Sequence, residues 1–331
     1  MKRSAKMLLG LGAVVALALT ACSSGTPESA ESTPAADGEL QTVNIVGVPV
    51  VDMAALYVGE DQGFFAEEGL ELNIEFGQGT AAMIPALING QYDIQYGGSV
   101  NMLQAVDAEL PVVAIAAGGR TTGVQGEDHG GLLVLEDSPI QTAADLEGKT
   151  VAVNALRGLH EVALWASIRK AGGDPTKVNF VEMALPDMGA ALESGQIDAA
   201  STSEPFLGVL QGEGARLVTS LYVDADPDFV TALYFVTAEK AEKDRDMIER
   251  FNRALEKSFA YSTENPDAVR AQLGNFTQID PALIETMILT NFKWGLTDAD
   301  LLLIANLAAD ANSLEDPEAA AERAAAFIDS E

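Results

Sequence analysis

The sequence predicts an α/β protein of two related lobes followed by a helical tail, and three observations carry that expectation. From residue 43 onward, short β-rich runs alternate with helical stretches, the pattern of α/β architecture with mostly parallel strands. An eight-residue element then recurs 105 positions apart. Ala86-Leu87-Ile88-Asn89-Gly90-Gln91-Tyr92-Asp93 and Ala191-Leu192-Glu193-Ser194-Gly195-Gln196-Ile197-Asp198 agree at five of eight positions. Beyond about residue 240 the alternation stops and helical periodicity takes over.

The elements follow in order. Lys2, Arg3 and Lys6 precede an apolar run over 7–18, so 1–21 reads as a secretory signal peptide, too short for a membrane span. Leu19-Thr20-Ala21-Cys22 resembles the bacterial lipobox, which implies cleavage before Cys22 and lipidation of that residue. The Ser, Thr, Pro, Ala, Gly and acidic residues of 22–40 cannot bury enough apolar surface to order themselves, so this stretch is expected to be a flexible tether. Strands are expected at 43–48, 71–75, 111–116, 150–153 and 178–182, with helices over 54–68 and 159–171 between them. Each copy of the repeated element sits between a helix and a strand, with Gly90 or Gly195 as the natural helix C-cap. In the tail, Ile248, Phe251, Leu255 and Phe259 form one stripe of a helix over 246–261, and further helices are expected at 280–288, 297–309 and 317–328. Pro266, Pro281 and Pro317 mark boundaries there.

Composition narrows the function. The 331 residues carry 19 Lys plus Arg against 50 Asp plus Glu, a net charge of −31, which becomes −34 once the three cations of the leader are removed. So acidic a chain has no basic face for nucleic acid. One cysteine excludes an internal disulfide framework and a thiolate metal cluster, and two histidines leave little for a histidine-built one. No metal and no cofactor are expected. Gly148-Lys149-Thr150 lacks the glycine of a P-loop five residues earlier, where Ala143 stands. Gly77-Gln78-Gly79-Thr80-Ala81-Ala82 follows the second strand, not the first as a dinucleotide fingerprint would. His160-Glu161 is followed by Leu164 where a zincin needs its second histidine. No catalytic residues are assigned.

Several segments resemble one family. Gly63-Phe64-Phe65-Ala66-Glu67-Glu68-Gly69-Leu70 is similar to the "GYFKEEGL" signature of substrate-binding proteins of ABC importers, in the branch handling sulfonates, taurine, nitrate and thiamine-pyrimidine precursors. Residues 86–93 resemble its "AL..GQ.D" element, 145–153 its "DLKGK.VAV", and 198–206, ending Ser203-Glu204-Pro205-Phe206, its "DA….EPF". The resemblance implies a type II periplasmic-binding-protein fold in which each lobe is a mixed, mostly parallel sheet flanked by helices. Lobe I would comprise 41–122 plus 239–331, with the helical tail packed on it, and lobe II 123–238. Two hinge crossings, near 118–130 and 231–236, would let the lobes close on a ligand.

Ligands of open α/β sheets bind beyond the carboxyl ends of strands. The loops there supply Pro49, Asp52 and Met53, then Gln78, Gly79 and Thr80, then Tyr96, Ser99 and Asn101. Arg120 lies near a crossing, and lobe II offers Asn154, Arg157, Asp187, Glu204 and Phe206. Thr80, Ser99 and Asn101 are small polar residues at helix starts, suited to a ligand or to ordinary capping. Arg157, and secondarily Arg120, would grip a carboxylate, sulfonate or phosphate if cleft-facing, or else stand solvated. Glu204 and Asp52 would accept from an amine, or cap helices. Tyr96, Phe206 and Tyr234 are flat walls or core. His160 reads as a partly exposed histidine without a role, and His129 as part of a glycine-rich hinge.

The function expected is a solute receptor of an ABC importer, lipid-anchored on the outer face of a bacterial cell membrane. It is expected to be a monomer that partners with permease and ATPase subunits and breaks no bond. A small organic ligand bearing an anionic group, sulfonate-like, is the first expectation, and a thiamine-pyrimidine precursor or similar heteroaromatic is the alternative. A sensory binding protein and an enzyme on the same fold are the readings from other classes.

Overall fold

Among the described residues, ten strands form two five-stranded sheets. They are β1 Gln41–Gly47, β2 Leu70–Phe76, β3 Ile94–Gly98, β4 Val112–Arg120, β5 Gly130–Leu135, β6 Thr150–Val153, β7 Asn179–Glu182, β8 Ala199–Ser203, β9 Ala215–Ser220 and β10 Val230–Thr237. The computed structural model describes residues 40–77, 79–277 and 279–325, so the expected leader, Cys22 and most of the tether lie outside the described residues. The first sheet has the order β2-β1-β3-β10-β4 and the second β7-β6-β8-β5-β9, the same pattern twice. In each sheet one strand opposes the other four: β10 runs antiparallel to β3 and β4, and β5 to β8 and β9. Both reversed strands are the ones that enter from the other lobe.

The first passage between sheets, residues 121–129, falls inside the crossing expected at 118–130. The second does not match. Residues 230–237 are a strand of the first sheet, and the passage is 221–229, which carries the short helix Leu221–Ala225. A β-rich run looks the same in sequence whether it bridges two sheets or completes one. Here the antiparallel partners that decide it lie more than a hundred residues away, as in Leu233 opposite Gly97 and Ala117.

The repeated element has a structural cause. Gly90 (φ 75°) and Gly195 (φ 68°) take the left-handed conformation that ends each helix. The aspartate that follows then bonds back to a strand of its own sheet, β1 in the first and β6 in the second. Asn44 N–H donates to Asp93 Oδ2 at 2.7 Å and Asp93 N–H to Asn44 O at 2.7 Å, while Thr150 and Asp198 repeat both bonds at 2.8 Å. Asp93 also pairs with half-buried Lys240 at 2.7 Å, whereas Asp198 is more exposed and 3.6 Å from Lys149. Asp93→Ala is therefore expected to lower the unfolding free energy by about 2 kcal/mol and Asp198→Ala by about 1 kcal/mol, read by urea titration. A larger loss at Asp198 would contradict the assignment.

The first sheet is covered on both faces, and all nine residues of β4 are buried. On one face the helix Arg245–Glu264 inserts Ile248, Phe251, Leu255 and Phe259 among Val43, Ile45, Leu56 and Tyr234. On the other, the tail helices Asp298–Asp310 and Pro317–Ala324 pack on the helix Ser99–Asp107 and on β4. That second core continues through Leu132, Val151, Leu164, Tyr222 and Phe229, so one apolar network runs beneath both passages and joins the lobes.

Candidate functional site

The loops after β3 and β6 meet between the lobes. Gln104 Nε2, on the lobe I helix, donates to Arg157 O at 2.8 Å, and a Cβ on Gly158 would lie 3.2 Å from Asn101 Nδ2. Behind this contact, and along the two passages, lies a chain of buried polar side chains.

Asp52 sits in the single turn Val51–Met53 after β1 and is 5% exposed. It presses on Gly119, where an added Cβ would stand 2.0 Å from Oδ1, so that position admits only glycine while Asp52 keeps its place. Burial holds the Asp52 carboxyl above the usual aspartate range, opposed by His129 and by the Thr290 hydroxyl. His129 closes the first passage, with Nδ1 3.2 Å from Asp128 Oδ1. Burial acts to lower its pKa, but Asp128, Asp52 and Glu204 together outweigh burial and raise it. Tyr222, on the second passage, places its ring 5.2 Å from that of His129 and 6.0 Å from that of His160, nearly parallel to the latter at 12°. A Cβ on Gly130 would meet this ring at 2.2 Å. Tyr234 on β10 meets Tyr96 on β3 edge-on at 5.2 Å.

His160 is the second residue of the helix Leu159–Lys170. Its Nδ1 lies 2.8 Å from Asn154 Oδ1. Burial, with His129 adding a like charge, lowers its pKa to about 4. Among the described residues, six atoms in this chain of contacts have no hydrogen-bond partner within the protein: Asp52 Oδ1, Asp128 Oδ2, both ring nitrogens of His129 (Nδ1 has only its 3.2 Å ion-pair contact), His160 Nε2 and the Tyr234 hydroxyl. A buried polar group left unpaired costs about 1–3 kcal/mol, so this concentration of such groups from both lobes makes the place the candidate site.

The other expected residues fall into two sets. Structural tasks occupy most of them. Arg120, 3% exposed, makes a bidentate pair with Asp300 (2.9 Å twice) and donates to the carbonyls of Asp228 and Gly295. It is a staple between the first sheet and the tail. Arg157 is exposed, at φ 60°, and its guanidinium donates to Asn312 O at 2.7 Å. Thr80 Oγ1 accepts from Gly98 N, Ser99 Oγ donates to Val230 O, and Met53 lies in the lobe I core. Gly79 is the extended residue before the helix Thr80–Ile88. Glu204 spends both oxygens on backbone, accepting from Gly208 N at 2.9 Å within lobe II and from Ile288 N at 3.1 Å across the lobes. Pro49 and Asp187 are exposed, Phe206 is half-buried at the start of its helix, and Gln78 lies outside the described residues. Asp52 and Tyr96 belong to the buried polar chain, and Asn154, itself exposed, joins it only through His160 Nδ1.

The expectation of a partly exposed His160 is corrected, because its side chain is sealed under Tyr222 and the residue is 3% exposed. His129, Tyr222 and Tyr234 complete the site. The signal available was scarcity: the chain has two histidines, and both are here.

A profile of the family described as NMT1/THI5 like matches residues 50–269. The formylaminopyrimidine-binding protein of Halalkalibacterium halodurans is 27% identical over 264 residues, covering 78% of each chain. The alkanesulfonate-binding protein SsuA from Xanthomonas axonopodis pv. citri, bound to MOPS, superposes with a TM-score of 0.72 at 16% identity, over 89% of this chain and 100% of that one. The desulfurization enzyme DSZB superposes with a TM-score of 0.63 at 19% identity, over 86% of this chain and 96% of that one. The two structural likenesses establish the fold as the periplasmic-binding-protein arrangement, and since one of the two is an enzyme, the fold alone does not decide between binding and catalysis.

Proposed function

The chain belongs to the NMT1/THI5-like family, and on that premise we propose that it is the solute receptor of an ABC importer. It closes its two lobes on one small organic molecule, breaks no bond, and delivers the molecule to a membrane permease and its ATPase. The observation that supports this reading is the gathering of unpaired buried polar groups from both lobes, which a polar molecule held between them would satisfy. Lipidation of Cys22 and residence on the outer face of the membrane belong to the same proposal, on the leader and lipobox-like residues.

The same groups favour one ligand class. Arg120 and Arg157, on which an anion would depend, are engaged with Asp300 and with Asn312 O. The unpaired positions set two acceptors, Asp52 Oδ1 and His160 Nε2, beside the donor groups of His129 and Tyr234, among the rings of Tyr96 and Tyr222. This suits a flat heteroaromatic bearing N–H donors, such as an aminopyrimidine, better than a sulfonate. Similarity to a formylaminopyrimidine-binding protein points the same way. A thermal-shift panel of aminopyrimidines and aliphatic sulfonates, followed by calorimetry, tests it. An aminopyrimidine is expected to raise the melting temperature, bind 1:1 and be recovered unchanged. Stabilisation by sulfonates alone would overturn the ligand class, and turnover of the ligand would overturn the receptor.

A further inference from the structure

We propose that His160 is a specificity-determining residue that meets the ligand as an uncharged acceptor, its proton held on Nδ1 by Asn154 and its Nε2 lone pair offered to a ligand N–H. The inference rests on the reading of the cleft as a heteroaromatic site and names the group that would read the donor edge.

Three features of the fold impose this state. The first is the hydrogen bond. Asn154 presents Oδ1 to Nδ1 at 2.8 Å, and a carbonyl oxygen only accepts, so the ring must donate from Nδ1. The neutral ring then has its lone pair on Nε2, which is buried and unpartnered. The second is position. His160 lies in the first turn of a twelve-residue helix, where the unpaired N–H groups and the helix dipole oppose a cation. The third is burial at 3% exposure, which also disfavours charge and agrees with the lowered pKa.

His129 is the counterpart in the opposite state. The charged and titratable groups around the pair are Asp52, Asp128, Glu204, Glu161 and Tyr222, and the first three favour the cationic form of His129. One ring is thus a donor and the other an acceptor, on either side of Tyr222. Two identical side chains set apart in this way would tell a donor-bearing ring from its alkylated analogue. A site that leaves its own buried acceptor unpaired rejects the analogue lacking the donor.

The test has two arms. Nitrogen NMR of the free protein carrying isotope-labelled histidine is expected to show His160 protonated on Nδ1 alone, unchanged from about pH 7 to about pH 5. Calorimetry then uses 4-aminopyrimidine and 4-(dimethylamino)pyrimidine as probes. His160→Gln, whose amide oxygen reaches the Nε2 position, is expected to keep 4-aminopyrimidine affinity within about fivefold, while the shorter His160→Asn loses about ten- to a hundredfold. Asn154→Asp, which favours a charged ring, is expected to weaken the same probe about tenfold. The dimethylated probe should bind the native protein weakly and should not distinguish it from His160→Asn. Circular dichroism and the melting temperature check that each variant is folded. An Nε2–H or charged ring in the free protein overturns the proposal, as does His160→Gln losing as much as His160→Asn. If neither probe binds, the aminopyrimidine class falls, and the NMR arm alone decides which face His160 presents.

Discussion

Asp52→Asn is expected to yield a protein that is harder to unfold and binds its ligand less well. The carboxylate is 5% exposed, one oxygen has no partner within the protein, and burial holds its pKa above the ordinary value of 3.8. An acid whose folded pKa is raised costs stability wherever it is ionised. The cost is absent below about pH 3.8, appears as pH climbs through the folded pKa, and is complete above it. The isosteric amide removes that cost, a gain of about 1 kcal/mol at neutral pH by urea titration. The difference between the two proteins should shrink as pH falls toward 4, since wild-type Asp52 is then protonated. Affinity should move the other way, by about tenfold or more, because a ligand N–H loses a charged acceptor. If the variant loses stability and keeps its affinity, Asp52 is a structural residue and the site lies elsewhere.

Arg120→Met is expected to have the largest effect on stability, a loss of about 3–5 kcal/mol, because it leaves Asp300 and two carbonyls without their partner in a nearly buried setting. Asp300 supplies the pH signature. Burial alone would raise its pKa, and the bidentate Arg120 with the Thr297 capping bonds more than reverses this, so it is lowered overall. Stability from a lowered carboxyl is present above its unfolded pKa and is lost as pH falls through the folded one. The gap between native and Arg120→Met protein should therefore be widest near neutrality and close below about pH 4. Replacing both partners, as Arg120→Met with Asp300→Leu, should cost less than Arg120→Met alone. A variant of native stability with abolished anion binding would instead make Arg120 the ligand's anchor.

These two residues show what could and could not be read from the sequence. The lobes were legible because local chemistry repeats: a left-handed glycine, then an aspartate that bonds both ways to the strand beside it, at 93 and again at 198. The strand Thr150–Val153 and the helix Leu159–Lys170 follow from periodicity almost to the residue. Strand Val230–Thr237 was misplaced because its partners are distant in sequence. In the site, position after a strand singled out Asp52, which lies in the buried polar chain, and Asn154, which touches it through His160. Which way an arginine points depends on contacts no local pattern contains: Asp300 is 180 positions from Arg120, and Asn312 is 155 from Arg157. His160 was underrated for the same reason, since its burial is supplied by Tyr222, from the returning passage.

The most direct measurement is a crystal structure of the protein purified with its ligand retained. The expected result is one planar molecule between the lobes, within hydrogen-bond distance of Asp52 Oδ1 and His160 Nε2 and flanked by Tyr222 and Tyr234. A ligand held by Arg157 or Arg120, or one lodged in the separate lobe II groove lined by Gln141, Ser167, Lys170 and Asp224, would contradict it.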